Sequence, residues 1–485
     1  MVNYERNAEI HRPSAFLLQK AEINTKLKST ELVALMLTDP GVCENQSSPS
    51  EKENGDICVT RRTTYFQTLF HLIKCHVGSG MFTVSDVFHY QSGLWIAPLL
   101  TVCLGIVCIC DNHILANCTN EIRKRKQLCS YPTFPDTMEW AFKSGPKLFQ
   151  QCSLTIREIA KGLNILTQLG CCIVYFIFIS SSLQSLLQML ERHGIVMDEH
   201  LIIVIIFFPI VMTIFMFHLK FLTLFSVFAS VFFFCAISLT LYISSSDLPP
   251  VTTRPTIAHW SQIPLFFGTS IYCFEGIVKT LPLHGETTQP DVQVRPFTVL
   301  VVILAVVGSL FVIIAFICFM KFVDDLATHN FNDQITFSFI QNYLCSEIVH
   351  LTIALGLLFS YTLQFHIALM LVWPELVREH GPARHTMLAE LGVRLLLALC
   401  TFTAVEVVPT LGVFISLTGA VCGTLLALLL PPLCDLALHW DMKSRPWRHL
   451  FDFLSISLAV TGFFTGMFYT TLILIKGFPD EVPSR

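Results

Sequence analysis

Two titratable side chains sit inside stretches that are otherwise apolar, His71 and Glu275. An imidazole with an unperturbed pKa of about 6.5 gains a proton from a mildly acidic compartment and loses it near neutrality. His71 is therefore either a proton carrier or a buried neutral histidine bonded to a backbone carbonyl. A glutamate at bilayer depth costs about 2.5–3.5 kcal/mol on insertion scales unless it is paired, hydrated or protonated. Glu275 either accepts a proton, pairs with a cation such as Lys74 or Lys279, or braces backbone N–H groups of an interrupted helix. Near these two in sequence, or in other apolar stretches, are groups that bind rather than react: the backbone of Gly78, Ser79 and Gly80, the hydroxyl and carbonyl groups of Ser270, Tyr272 and Phe274, and the polar tips of Tyr175, Tyr361 and Gln364. Taken singly, each of those tips more often serves packing. The chain has no H-E-x-x-H, no phosphate-cradling G-x-x-x-x-G-K and no G-x-S-x-G elbow, so neither catalysis nor a cofactor or metal is expected.

These groups must be positioned by elements suited to a bilayer. The 485 residues are 53% hydrophobic and 14% charged, with mean hydropathy +0.62, too apolar for a soluble domain of this size. A helix crosses about 30 Å of hydrocarbon with about 20 apolar residues. Eleven segments satisfy that requirement, at 66–88, 94–117, 155–189, 201–218, 221–243, 263–284, 297–320, 346–372, 391–408, 410–432 and 451–475. The expected class is an all-α polytopic membrane protein, with a cytosolic disordered tail over 1–62, a transporter-like domain over 63–475 and a short external tail over 476–485.

Charge sets the orientation. Arg123, Lys124, Arg125 and Lys126 follow the second span and Lys443, Arg445 and Arg448 precede the last, which places those ends and the N-terminus in the cytosol. The acceptor patterns at Asn45 and Asn117 are then both unused. A net charge of −4 with no basic module argues against a nucleic-acid partner. The eighteen cysteines lie mostly inside apolar spans without a C-x-x-C pair and read as small core residues.

Two spans carry breaks. Gly78 and Gly80 weaken the first in its middle, and Gly268 and Gly276 flank the hydroxyls and the carboxylate of the sixth. Backbone groups freed there need a polar cavity or a neighbouring helix. First and sixth are the positions at which five-helix inverted repeats place discontinuous helices around a midplane site. Half-helix N-termini there present N–H groups to a carboxylate, an arrangement suited to an amino acid. Small residues also serve close helix packing, which is the competing explanation.

Several stretches in order resemble the proton-coupled amino acid transporter branch of the amino acid/auxin permease family. They are Thr68-Leu69-Phe70-His71-Leu72-Ile73-Lys74 with Gly78-Ser79-Gly80, Thr167 to Phe176, Pro264 to Gly276 followed by Leu281-Pro282-Leu283, Ser360 to Phe365, Ile415 to Gly419, and Pro431-Pro432. The resemblance covers about Thr63 to about Tyr469. It implies eleven transmembrane helices in a LeuT-type fold with helices 1 and 6 broken, import of small neutral amino acids, proton rather than sodium coupling, and His71 as the proton-sensitive residue. The chain departs from its relatives at Cys75 and His76, where they carry Gly-Asn, at Val84-Ser85, where they carry Leu-Pro, and at Asp86, Asp111 and His113.

The expected function is proton-coupled transport of small neutral amino acids toward the cytosol, with Gly78, Ser79, Gly80, Tyr175, Ser270, Tyr272, Phe274 and Gln364 on substrate and His71 and Glu275 on the proton. Two alternatives stand beside it: an amino-acid-sensing receptor with little flux, whose tail meets a cytosolic partner, and an uncoupled carrier. An acidic outer or luminal side fits a plasma membrane or a lysosome-like vacuolar membrane.

Overall fold

The computed structural model describes residues 78, 80–82, 93–128, 132–190, 198–215, 219–245, 248–250, 263–274, 299–326, 346–381, 385–408, 411–440 and 446–476. Helices dominate them: α1 (Gly93–Lys126), α2 (Phe134–Ser144), α3 (Lys147–Gln151), α4 (Ser153–Leu190), α5 (Glu199–Ile214), α6 (Leu219–Ser245), α7 (Ile263–Cys273), α8 (Val299–Leu326), α9 (Ser346–His380), α10 (Thr386–Val407), α11 (Leu411–Leu417), α12 (Leu430–Leu438) and α13 (Pro446–Lys476). Between α11 and α12 the same helix widens into π turns over Thr418–Gly423 and Leu425–Leu429.

Among the described residues seven helices are long and apolar enough to cross a membrane, and two more, over His200–Ile214 and Ala305–Lys321, are apolar but shorter. Of the eleven expected spans, the first is described only at Gly78 and Gly80–Phe82 and the sixth only to Phe274, and the rest coincide with helices. The 1–62 tail and the 476–485 end lie outside the described residues, apart from Lys476. Phe208 and Met212 on α5 and Phe464 and Phe468 on α13 are exposed, as side chains facing lipid tails would be.

Packing between helices follows from small residues and satisfied polar groups. The long pair α4 and α9 lie together, α6 flanks α9, and α8 packs on α1. Arg394 on α10 is buried and reaches across to α5, where its guanidinium donates to the Ile214 carbonyl at 2.8 Å while Glu390 holds its other face at 2.6 Å. That carbonyl belongs to the last turn of α5 and has no intrahelical donor, so a cation there satisfies both charge and hydrogen bond.

Two helices, α2 and the five-residue α3, were not expected. The amphipathic α2 lies between the second and third spans, and its N-terminus is closed by Thr133, whose Oγ1 accepts from the Asp136 N–H at 3.4 Å and donates to Asp136 Oδ2 at 2.6 Å. Arg157 on α4 ties it down through Asp136 and Glu139, both at 3.1 Å. Thr133 with Pro135 and Asp136 is a legible start signal; a search for apolar stretches of spanning length passes over an eleven-residue amphipathic helix.

Candidate functional site

The site rests on α7, an eleven-residue helix pressed against the π-turned helix. A methyl added at Gly268 would stand 2.6 Å from the Ser416 carbonyl oxygen, and one at Gly419 would stand 1.8 Å from the Gly268 carbonyl oxygen. Backbone therefore meets backbone, which no side chain would allow. Thr269 Oγ1 and Ser416 Oγ share a hydrogen bond of 3.1 Å across this seam. On the far side Gly170 of α4 faces Thr418, where a methyl would come within 2.8 Å of the threonine side chain. The π turns loosen the regular ladder at this depth, and Thr424 Oγ1 donates to the Gly419 carbonyl at 3.1 Å.

Of the places where breaks were expected, the described residues show Gly78 and the end of α7; Gly268 lies inside α7 and Gly276 lies outside the described residues. The helix stops at Cys273, and the Phe274 N–H reaches only to the Ile271 carbonyl, at 3.0 Å, a tighter turn than the helix it ends. Gly78 is not helical, whereas Gly80 to Phe82 are, and the Met81 N–H closes on the Gly78 carbonyl at 3.2 Å. These two ends touch. Cys273 Sγ donates to the Gly80 carbonyl at 3.3 Å, and a methyl at Gly80 would stand 3.0 Å from Cys273 Cα. Tyr175 of α4 joins them, its hydroxyl 3.4 Å from where a methyl on Gly78 would sit.

The expected substrate residues divide accordingly. Gly78, Gly80 and Tyr175 come together beside the end of α7. Tyr272 packs on Gly419. Ser270 is buried and its Oγ has no hydrogen-bond partner among the described residues. The Phe274 ring turns toward Gly105 of α1 and stacks edge-on with Phe311 of α8 at 5.7 Å, so its backbone rather than its ring faces the break. Gln364 donates to Gln168, which in turn donates to Asn164 at 3.2 Å, an amide chain joining α9 to α4. Gln168 lies seven residues from Tyr175, about 10 Å along α4. Tyr361 is taken by Thr401 of α10 at 2.9 Å. His71, Ser79 and Glu275 lie outside the described residues.

Sequence reading missed Cys273 and the Thr269–Ser416 pair. No spacing rule marks either, because their partners are about 190 and 150 residues away.

A second polar group closes the basic end of the bundle. Arg448 of α13 grips Asp435 of α12 with Nε at 2.6 Å and a terminal nitrogen at 2.5 Å. His439 bridges Asp435 at 3.0 Å and Glu121 of α1 at 2.8 Å, and Cys118 donates to Asp435 at 3.2 Å. The hydrogen bond that His439 donates to Asp435 raises its pKa above the ordinary 6.5 and outweighs the opposing effect of burial, with help from the charge of Asp435 and from Glu121. Cys118, Asp435 and His439 bring ligand atoms within 4.8 Å of one another. Arg448 already supplies the cation at both Asp435 oxygens, so the donor set reads as an ion-pair cluster rather than a metal site.

Comparison with known proteins bears on what this frame carries. A family model described as "Transmembrane amino acid transporter protein" matches residues 61–476. The chain is similar to the fruit-fly (Drosophila melanogaster) "Proton-coupled amino acid transporter-like protein pathetic", 27% identical over 380 residues, 78% of each chain. It is similar also to the Caenorhabditis elegans "Probable amino acid transporter skat-1", 20% identical over 442 residues, 89% of this chain and 93% of that one. Among solved structures a Na+-coupled sialic acid symporter in a substrate-bound outward-open state aligns with TM-score 0.35 and 11% identity, over 83% of this chain and 96% of that one, a likeness too distant to bear on the fold.

Proposed function

The chain belongs to the transmembrane amino acid transporter family, and from that premise we propose that it moves small neutral amino acids toward the cytosol in company with protons. The observation that supports this reading is the meeting of the Gly78–Gly80 turn with the end of α7 at Cys273. One end offers backbone N–H groups at the start of a helix, the other offers the backbone carbonyls of the last turn of α7, from Ser270 on. A zwitterion needs both, with its carboxylate at Gly78, Ser79 and Gly80 and its ammonium at the carbonyls from Ser270 through Tyr272 to Phe274. Tyr175 caps the carboxylate side, and Gln364 holds α9 in register one layer away.

Proton coupling falls to His71 and Glu275, and the proton-coupled relative favours it over an uncoupled carrier. If protonation tightens substrate binding, substrate raises proton affinity by the same free energy. Eleven spans in a five-helix inverted repeat, with the N-terminus in the cytosol, complete the reading.

The test is uptake of labelled small neutral amino acids into proteoliposomes under an imposed pH gradient. Uptake that rises several-fold with an acidic exterior is expected. Flux indifferent to the gradient rejects coupling, and saturable binding without flux marks a sensor instead.

A further inference from the structure

The ion-pair cluster at the basic end leaves two buried carboxylates over. Asp111 of α1 and Asp452 of α13 are both fully buried. Asp111 Oδ2 accepts a hydrogen bond from Ser455 at 2.6 Å, while its Oδ1 has no partner, and neither oxygen of Asp452 has one. Ser455 and Asp452 are three residues apart and so lie on one face of α13, the face turned to Asp111.

The cations nearby are committed. Arg448 lies on Asp435, His439 is divided between Asp435 and Glu121, and Arg125 takes Glu121 at 2.5 Å. On α1 the flanking Asn112 amide and His113 Nδ1 are unpartnered as well, and Cys118 faces Asp435 rather than Asp111. On α12 and at the residue that ends it the charged groups are Asp435 and His439, both already engaged. Asp452 feels the Asp435 carboxylate, which opposes a second negative charge beside it, and the Arg448 guanidinium that Asp435 already holds; His449 Nδ1 lies 3.8 Å from its Oδ2, beyond hydrogen-bond distance, on a ring 27% exposed.

An ionised carboxylate with no cation and no donor in an apolar interior is among the costliest groups a protein can bury, and it takes up a proton instead. A sodium ion would need five or six oxygen ligands. Ser455 Oγ is already hydrogen-bonded to Asp111 and the Leu428 carbonyl.

We propose that Asp111 and Asp452 form a proton-binding site between α1 and α13, separate from the substrate site, and that the bound proton holds this end of the bundle closed. When α13 parts from α1 and water enters, the Asp452 O–H bond breaks, the proton passes to His449 Nδ1 and from there to bulk water, and the carboxylate left behind is hydrated. Reclosure requires the proton back. Closure and protonation are thus linked, whatever the transported substrate.

Infrared spectroscopy of the full-length protein in lipid vesicles tests this without any measurement of transport, so its outcome is independent of the uptake assay. At neutral pH in sodium-free buffer the protonated-carboxyl C=O band should be present. Asp452→Asn and Asp111→Asn should each remove part of it, and Ser455→Ala should shift the Asp111 component without loss. Deuterium exchange of the band should slow several-fold in His449→Ala. A band unchanged in the Asp111→Asn/Asp452→Asn double variant overturns the site, as does a band abolished by adding sodium, which would make it a cation site. An unchanged exchange rate in His449→Ala overturns the route. Should the asparagine variants fail to fold, an absent shift in Ser455→Ala decides against the site.

Discussion

Gly419 and Gly268 show how little room one residue can have. A methyl at Gly419 has nowhere to go but into the backbone of α7, so Gly419→Ala is expected to cost about 1–3 kcal/mol or more of stability, read as a lowered thermal midpoint in detergent. Gly80→Ala meets the Cys273 backbone at 3.0 Å and is expected to lower amino acid uptake more than it lowers the thermal midpoint, because it separates the two ends proposed to hold substrate. Tyr175→Phe removes only a hydroxyl, and a raised KM with the same pH dependence is the expected result. A wild-type KM would take Tyr175 off the substrate.

Where helices meet at the basic end, ion pairs decide. Asp435 is fully buried and Arg448 is its cation, so Arg448→Met strands a buried charge and should cost about 3–5 kcal/mol, with Asp435→Asn/Arg448→Met together costing less than Arg448→Met alone. His439 adds a pH dependence. Its pKa is raised in the folded state, so its contribution is complete below the unfolded value of about 6.5 and is lost as pH rises through the folded value. The thermal midpoint of the wild-type protein should fall over that range, and His439→Gln should flatten the fall; an equal slope in the variant would show that the charge of His439 does not contribute. The Thr133–Asp136 cap of α2 makes the same point about local chemistry, since two side chains suffice to start a helix where the chain leaves the bilayer.

For the whole molecule the testable property is orientation. The basic cluster from Arg123 to Lys126 and Arg448 share one end, because Glu121 and Arg448 join the same cluster. In the orientation proposed from the positive-inside rule, that end faces the cytosol together with the N-terminus. Asn45 should then carry no glycan in cells, and a mobility shift on glycosidase treatment that is lost in Asn45→Gln would invert the topology. Asn117 should be bare for a local reason too, as Thr119 Oγ1 donates to the Leu115 carbonyl at 2.8 Å inside α1.

Hydropathy alone determined that the chain lives in a bilayer and where most of its spans run, because hydrocarbon leaves a helix no alternative to about 20 apolar residues. Glycine spacing also marked Gly78, Gly80 and Gly268 as places of weakness or close approach. Hydropathy gave no sign that the weak points of two spans touch through Cys273 and Gly80, or that Gly268 lies on Gly419, since such contacts depend on how distant segments pack and leave no local period. The same holds for Asp111, which in sequence is only an odd carboxylate in an apolar run. Its meaning came from Ser455 and Asp452, more than 340 residues on, and from the commitment of Arg448 and His439 to Asp435.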